Sequence, residues 1–116
     1  MAWLAPMAEK QGFILLANWE WGLRHLTSNA RAVNTPNDIA GLKIRVPPEM
    51  QLQATVEAMG AHATKIAFPK LYLALSQGVV DGEENPTSVI ISNKLYEAQK
   101  YLALTAHAYK SMIHVP

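Results

Sequence analysis

Three residues of this chain have the type and setting to grip an anion: Arg45, Arg24 and Asn85. Arg45 lies at the end of the otherwise apolar run Leu42-Lys43-Ile44-Arg45-Val46, which Pro47-Pro48 stops because proline offers no N–H to continue a ladder. A guanidinium held there is rigid and partly desolvated, and its planar fork takes a carboxylate bidentately. Composition favours an internal Asp or Glu as that carboxylate, with a ligand as the alternative. Arg24 poses the same question beside Trp19 and Trp21, which either wall a pocket or, as composition favours, fill the core. Asn85, between Glu83-Glu84 and Pro86, can donate its amide to a ligand oxygen or bond the backbone of a turn.

Other chemistry is scarce. Glu83 and Glu84 are the only adjacent carboxylates, and neighbours in an extended segment point to opposite faces, a poor geometry for a shared acid/base pair. They are expected to be a solvated pair. No two of His25, His62, His107 and His114 stand at the i, i+4 spacing that puts ligands on one helical face, so no metal site is expected. A glycine-rich phosphate loop, a nucleophile elbow and a paired-histidine zinc motif are all missing, which argues against an enzyme and for no cofactor. The lack of cysteine removes disulfides, thiolate metal sites and thiol nucleophiles together. Ten Lys/Arg and nine Asp/Glu are scattered and give a net charge of +1, so nucleic acid is not an expected partner.

The elements that must position these residues fit one folding unit of 116 residues, half of them hydrophobic, with a mean hydropathy of +0.02. The longest stretch without a charged residue, Leu71 to Val80, falls well short of the roughly 18 apolar residues of a spanning helix. Met1 to Gly12 lacks the basic start and apolar run of a secretory signal. Residues 2–11 read as a short helix stopped by Gly12, and Phe13 to Ala17 as a buried strand. Trp19 to Arg24 is bulky and aromatic around Gly22, and His25 to Ser28 forms a second short extended segment. Thr35-Pro36-Asn37-Asp38 signals about one helical turn before Gly41.

Strand 42–46 follows, then a helix from about Met50 that Gly60 closes, a strand over 62–66, and a helix from Phe68 to about Gln77 with Gly78 as its stop. Val79 to Pro86 reads as a short strand running into a polar loop. Ile91, Leu95 and Ala98 fall at helical spacing, and Tyr101 to Thr105 is another apolar strand. Alternating strands and helices make an α/β layer structure. The apolar end Met112 to Pro116 suggests that the chain stops partway through an element.

The stretches Gly41 to Pro47, Leu71 to Pro86 and Tyr96 to Leu102, in this order and spacing, resemble the solute-binding proteins of tripartite ATP-independent periplasmic (TRAP) transporters. Gly22-Leu23-Arg24-His25-Leu26-Thr27-Ser28 is similar to that family's first arginine segment, so the likeness covers about residues 13–110. The resemblance implies a two-lobed, type II periplasmic-binding-protein-like clamp, with a mixed sheet flanked by helices. Such a clamp closes on a small organic acid in the periplasm and delivers it to membrane permease subunits, with no chemistry done on the ligand.

Carried over, Arg45 resembles the arginine that pairs with the ligand carboxylate, Arg24 a second arginine lining the site, and Asn85 the amide that orients the acid. Trp21 and Phe68, with Trp19, are candidates for the ligand's carbon part or for core packing. A full family member is more than twice this long, so residues 1–116 are expected to be a single partial domain. They would comprise most of the second lobe with crossing segments, without the signal sequence, N-terminal lobe and C-terminal helices. Weak ligand binding and exposed apolar surfaces are the expected consequences, with homo-oligomers or strand exchange as a result. The alternative to a working receptor is a lobe that folds, as an oligomer, without useful ligand binding.

Overall fold

The computed structural model describes residues 2–116. Its elements run α1 (Leu4–Lys10), β1 (Ala17–Ser28), a 3₁₀ turn (Pro36–Ile39), β2 (Lys43–Val46), α2 (Met50–Ala58), β3 (His62–Lys65), a 3₁₀ turn (Phe68–Lys70), α3 (Leu71–Ser76), β4 (Gly82–Asn85), α4 (Thr87–Ser92), a 3₁₀ turn (Leu95–Glu97) and β5 (Tyr101–His114). The strands form a five-stranded sheet in the order β3-β2-β4-β1-β5, parallel between β2 and its two neighbours and antiparallel between β4 and β1. This is the expected α/β layer fold with a mixed sheet. Among the described residues no helix is long and apolar enough to cross a membrane. By backbone contacts the chain divides into two compact units, Leu23–Ala108 and the stretch up to Gly22 together with Tyr109–Pro116.

Two segments expected as strands are not strands, for the same reason. α1 ends with Gly12 at φ +85°, and the Phe13 N–H reaches back 3.0 Å to the Ala8 carbonyl, so Phe13 is consumed in closing the helix. Phe13, Ile14 and Leu16 lie exposed, and the ladder begins at Ala17. α3 ends likewise with Gly78 at φ +71° and the Val79 N–H on the Ala74 carbonyl at 2.9 Å. Val79 is therefore a helix terminus, and the strand is the acidic tetrapeptide 82–85 that the sequence reading placed in a polar loop.

Three further boundaries differ. Trp19 to Arg24 and His25 to Ser28 are one continuous strand. The last apolar segment runs through to His114. The single helix through Ile91 and Ala98 is broken: Asn93 turns its amide onto the Val89 carbonyl at 3.0 Å, and Lys94 takes φ +54°. That break leaves Ile91 exposed and Leu95 buried, where a continuous helix would have put them on one face.

Within Leu23–Ala108 one apolar cluster gathers Leu26, Ile39, Ile44, Val46 and Val56, and a second gathers Leu71, Leu75, Val80, Ile90 and Leu95. β4 lies at the centre of the sheet, and all four of its residues are buried. Register fixes what faces what: Gly82 lies beside Ile44 and Ser28, Glu83 beside Arg45 and Thr27, Glu84 beside Leu26, and Asn85 beside His25. Gly82 is required by this crowding, because a Cβ there would stand 2.1 Å from the Thr27 carbonyl oxygen. Replacing Gly82 with alanine must push β1 from β4, and chemical denaturation should record a loss of about 3 kcal/mol or more.

Candidate functional site

Four charged side chains are buried in the sheet: Arg24, Arg45, Glu83 and Glu84, each at most 2% exposed. The expectation of a solvated acidic pair is wrong. β4 has a strand on either side, so both carboxylates enter the interior on alternate faces, and each must find donors there. Glu84 finds Arg24. The Arg24 Nε–H donates to Glu84 Oε2, and its Nη2 donates to Oε1 at 2.8 Å and to the Glu84 carbonyl at 2.9 Å. His107 adds its Nε2 at 3.3 Å from Oε2, while its Nδ1 meets the Thr105 hydroxyl at 2.7 Å. A neutral ring with the proton on Nε2 satisfies both, donating to Glu84 and accepting from Thr105.

Glu83 is held differently, by neutral donors. Thr27 Oγ1 donates to its Oε1 at 3.0 Å and Asn85 Nδ2 to its Oε2 at 2.7 Å. Burial dominates and pushes the Glu83 carboxyl up to about 7, against the pull of those two hydrogen bonds. Asn85 joins the two halves, because its Oδ1 also accepts from Arg24 Nη2 at 3.3 Å. Its amide is thus spent on side chains rather than on the turn backbone.

Arg45 is the third residue of its four-residue strand and 2% exposed, so it is more deeply buried than a strand-end position would be. Its Nε donates to the Ile66 carbonyl at 2.9 Å, and its guanidinium carbon lies 5.9 Å from the centroid of the Phe68 ring. Burial lowers its pKa, opposed by the negative charges of Glu83, Glu84 and Glu49. The internal carboxylate that composition favoured for Arg45 is not among its hydrogen-bond partners in the described residues, whereas Arg24 has one, Glu84, in bidentate form. Phe68 is 42% exposed on the first 3₁₀ residue before α3. Trp21 lies in the other unit, in the outer part of β1, and is 38% exposed.

Arg24, Arg45, Asn85 and Phe68 therefore all belong to the unit Leu23–Ala108, and Arg24 is joined directly to Glu84 and through Asn85 to Glu83. Sequence reasoning missed Thr27, Glu83, Glu84 and His107 as parts of this network. The signal for the glutamates was present: two arginines embedded in apolar strands demand buried negative charge, and Glu83-Glu84 is the one adjacent acidic pair. Among the described residues no group of three His, Asp or Glu side chains is arranged to hold a metal.

Two outcomes follow from this geometry. Glu84→Ala strands a buried Arg24 charge and should cost about 3–5 kcal/mol in denaturant unfolding, whereas an exposed acid such as Glu57 should cost less than about 1 kcal/mol. Because the folded pKa of Glu83 is raised from 4.5 to about 7, the folded state holds that proton more tightly than the unfolded chain does. Its contribution to stability is complete below about pH 4.5, falls as pH rises, and is lost above about pH 7. Compared with Glu83→Gln, the parent chain should lose a few kcal/mol across that window, read as a divergence of the two Tm curves.

The description "Bacterial extracellular solute-binding protein, family 7" matches this chain over residues 1–115. A solute-binding protein of Verminephrobacter eiseniae (strain EF01-2) is 46% identical over 99 residues, covering 85% of this chain and 30% of the relative. A TRAP periplasmic solute-binding protein from Polaromonas sp. JS666, bound to D-erythronate, is similar with a TM-score of 0.92 and 38% identity, over 98% of this chain and 38% of that one. Another, from Sulfurospirillum deleyianum DSM 6946 with bound succinate, gives a TM-score of 0.90 and 38% identity, over 98% of this chain and 37% of that one. The chain spans between a fifth and about a third of the length of the first curated relatives it matches, at 20%, 30% and 34%. With its sheet, its arginine segments and its acidic strand all in place, this chain belongs to the bacterial extracellular solute-binding proteins of family 7, the solute-binding proteins of TRAP transporters.

Proposed function

We propose that this chain forms the ligand-contacting part of a periplasmic receptor that takes a small organic acid by its carboxylate and passes it to membrane permease subunits. The observation that carries this reading is the contrast between the two arginines. Glu84 closes the fork of Arg24 from within the chain, whereas Arg45 is fixed by one Nε–H on the Ile66 carbonyl. A guanidinium so anchored keeps its Nη edge for a bidentate carboxylate, and the strand holds it in orientation. In this reading Arg24 and Asn85 set the polar wall of the site, and Phe68 meets the ligand's carbon part. The relatives' bound acids support the class: D-erythronate, succinate and beta-D-galacturonate all carry a carboxylate, while the rest of the molecule changes from a four-carbon chain to a sugar ring.

The chain acts as part of a larger clamp in this reading, as one lobe with crossing segments. A one-sided site leaves a bound acid in contact with water, which weakens its pairing with arginine. A second reading, a folded scaffold that associates without useful ligand binding, draws on the exposed Ile14, Leu16 and Trp19.

A thermal-shift series with D-erythronate and succinate separates the two. Under the receptor reading, saturating acid raises Tm by several degrees, and Arg45→Gln keeps the ligand-free Tm within a few degrees while losing the whole shift. A flat response of the well-folded parent to both acids would favour the scaffold.

A further inference from the structure

Glu83 is a fully buried carboxylate that the proposed anion site does not itself use. It stands next to Arg45 in the register of β2 and β4, so the two charges share one face of the sheet. We infer that uptake of an anionic acid at Arg45 is coupled to the binding of one proton by Glu83, so that this receptor takes an acid and a proton together. The inference rests on the reading of Arg45 as the carboxylate receptor.

The physical reason is charge balance around a buried carboxylate. Without ligand, the Glu83 anion offsets the positive charge of Arg45 across the strand pair. A ligand carboxylate on Arg45 brings a second negative charge to the same face, and Glu83, fully buried beside that arginine, has no water of its own to screen it. The other groups there give little relief. Glu84, on the opposite face of β4, is itself negative and chelates Arg24. Thr27 and Asn85 are neutral, and His25, beside Asn85 in the register, accepts the Ala106 N–H on Nδ1 at 3.1 Å. Glu49 adds a further negative charge towards Arg45. Protonating Glu83 is the change that restores balance.

The hydrogen bonds accept that proton without rearrangement. Oε1 faces a hydroxyl, and the Thr27 O–H turns from donor to acceptor when Oε1 carries the proton. Oε2 goes on accepting the Asn85 N–H, so Asn85 keeps its orientation and its contact with Arg24. A proton on Oε2 would instead set donor against donor. Burial already holds the Glu83 carboxyl up to about 7, so a proton from bulk solvent is available at small cost near neutrality.

Calorimetric titration of the chain with D-erythronate, whose carboxylate stays ionised throughout, in pairs of buffers of different ionisation enthalpy counts the protons exchanged. The expected result is uptake approaching one proton per acid at about pH 8, little uptake at about pH 5.5, and affinity that falls about tenfold from about pH 6.5 to about pH 8.5. Glu83→Gln, a neutral mimic of the protonated side chain, should bind with pH-independent affinity and exchange no proton. Thr27→Val removes the proton's acceptor and should reduce uptake, which keeps the test decisive if the glutamine variant fails to fold. Binding by the parent with no proton exchanged at any pH overturns the coupling and leaves the carboxylate reading standing. Undiminished uptake in Glu83→Gln overturns the assignment to Glu83. No binding at either end of the pH range overturns both readings.

Discussion

Adjacent carboxylates in a strand buried on both faces impose the constraint around which this sheet is organised. Glu83 and Glu84 point to opposite sides of β4, and neither side offers water. Donors must therefore come from the flanking strands. β1 provides Arg24 for one carboxylate and Thr27 for the other, and β5 provides His107. Side chains in a strand alternate strictly, so slipping β1 by one residue against β4 would exchange Arg24 for a neighbour that cannot neutralise Glu84. Ionic matching thus helps to select the register, alongside the apolar pattern. Gly82 admits the close approach of the Thr27 carbonyl that this register requires.

The two carboxylates are solved differently, and the difference has consequences. Glu84 has a guanidinium wrapped round it, an arrangement in which Coulomb attraction and hydrogen bonding offset desolvation. Glu83 has only neutral donors within hydrogen-bonding distance among the described residues, so burial wins and its proton affinity rises. One strand therefore carries a fixed ion pair on one face and a titratable carboxyl on the other. Asn85 touches both, accepting from Arg24 and donating to Glu83.

Much of this was legible beforehand. α2 lies where glutamine-, glutamate- and alanine-rich composition and Gly60 put it, and β2 and β3 agree with the strands read over 42–46 and 62–66 to within a residue. Arg45 stood out because a charge inside an apolar strand needs an explanation wherever the strand lies. Other elements were misread where a local rule met a tertiary demand. Val79-Val80 has strand composition, but the helix before it needs Val79 to close its last turn. Phe13 is claimed in the same way by α1. Glu83-Glu84 has loop composition, and only the flanking strands turn it into the central strand.

What the sequence by itself determined is the α/β class, the positions of most helices and parallel strands, and the membership of the solute-binding family, because these rest on periodicity, capping residues and ordered motifs local in the chain. What only the tertiary structure decided is which charges are buried and with whom. Arg24 and Glu84 are 60 residues apart, and nothing local marks Glu84 as the partner of Arg24 rather than of Arg45. That choice follows from strand order and register, which set which side chains share a face, and burial then converts proximity into pairing. The proton affinity of Glu83 is of the same kind, since it depends on removing water from a carboxylate that the local sequence would leave solvated.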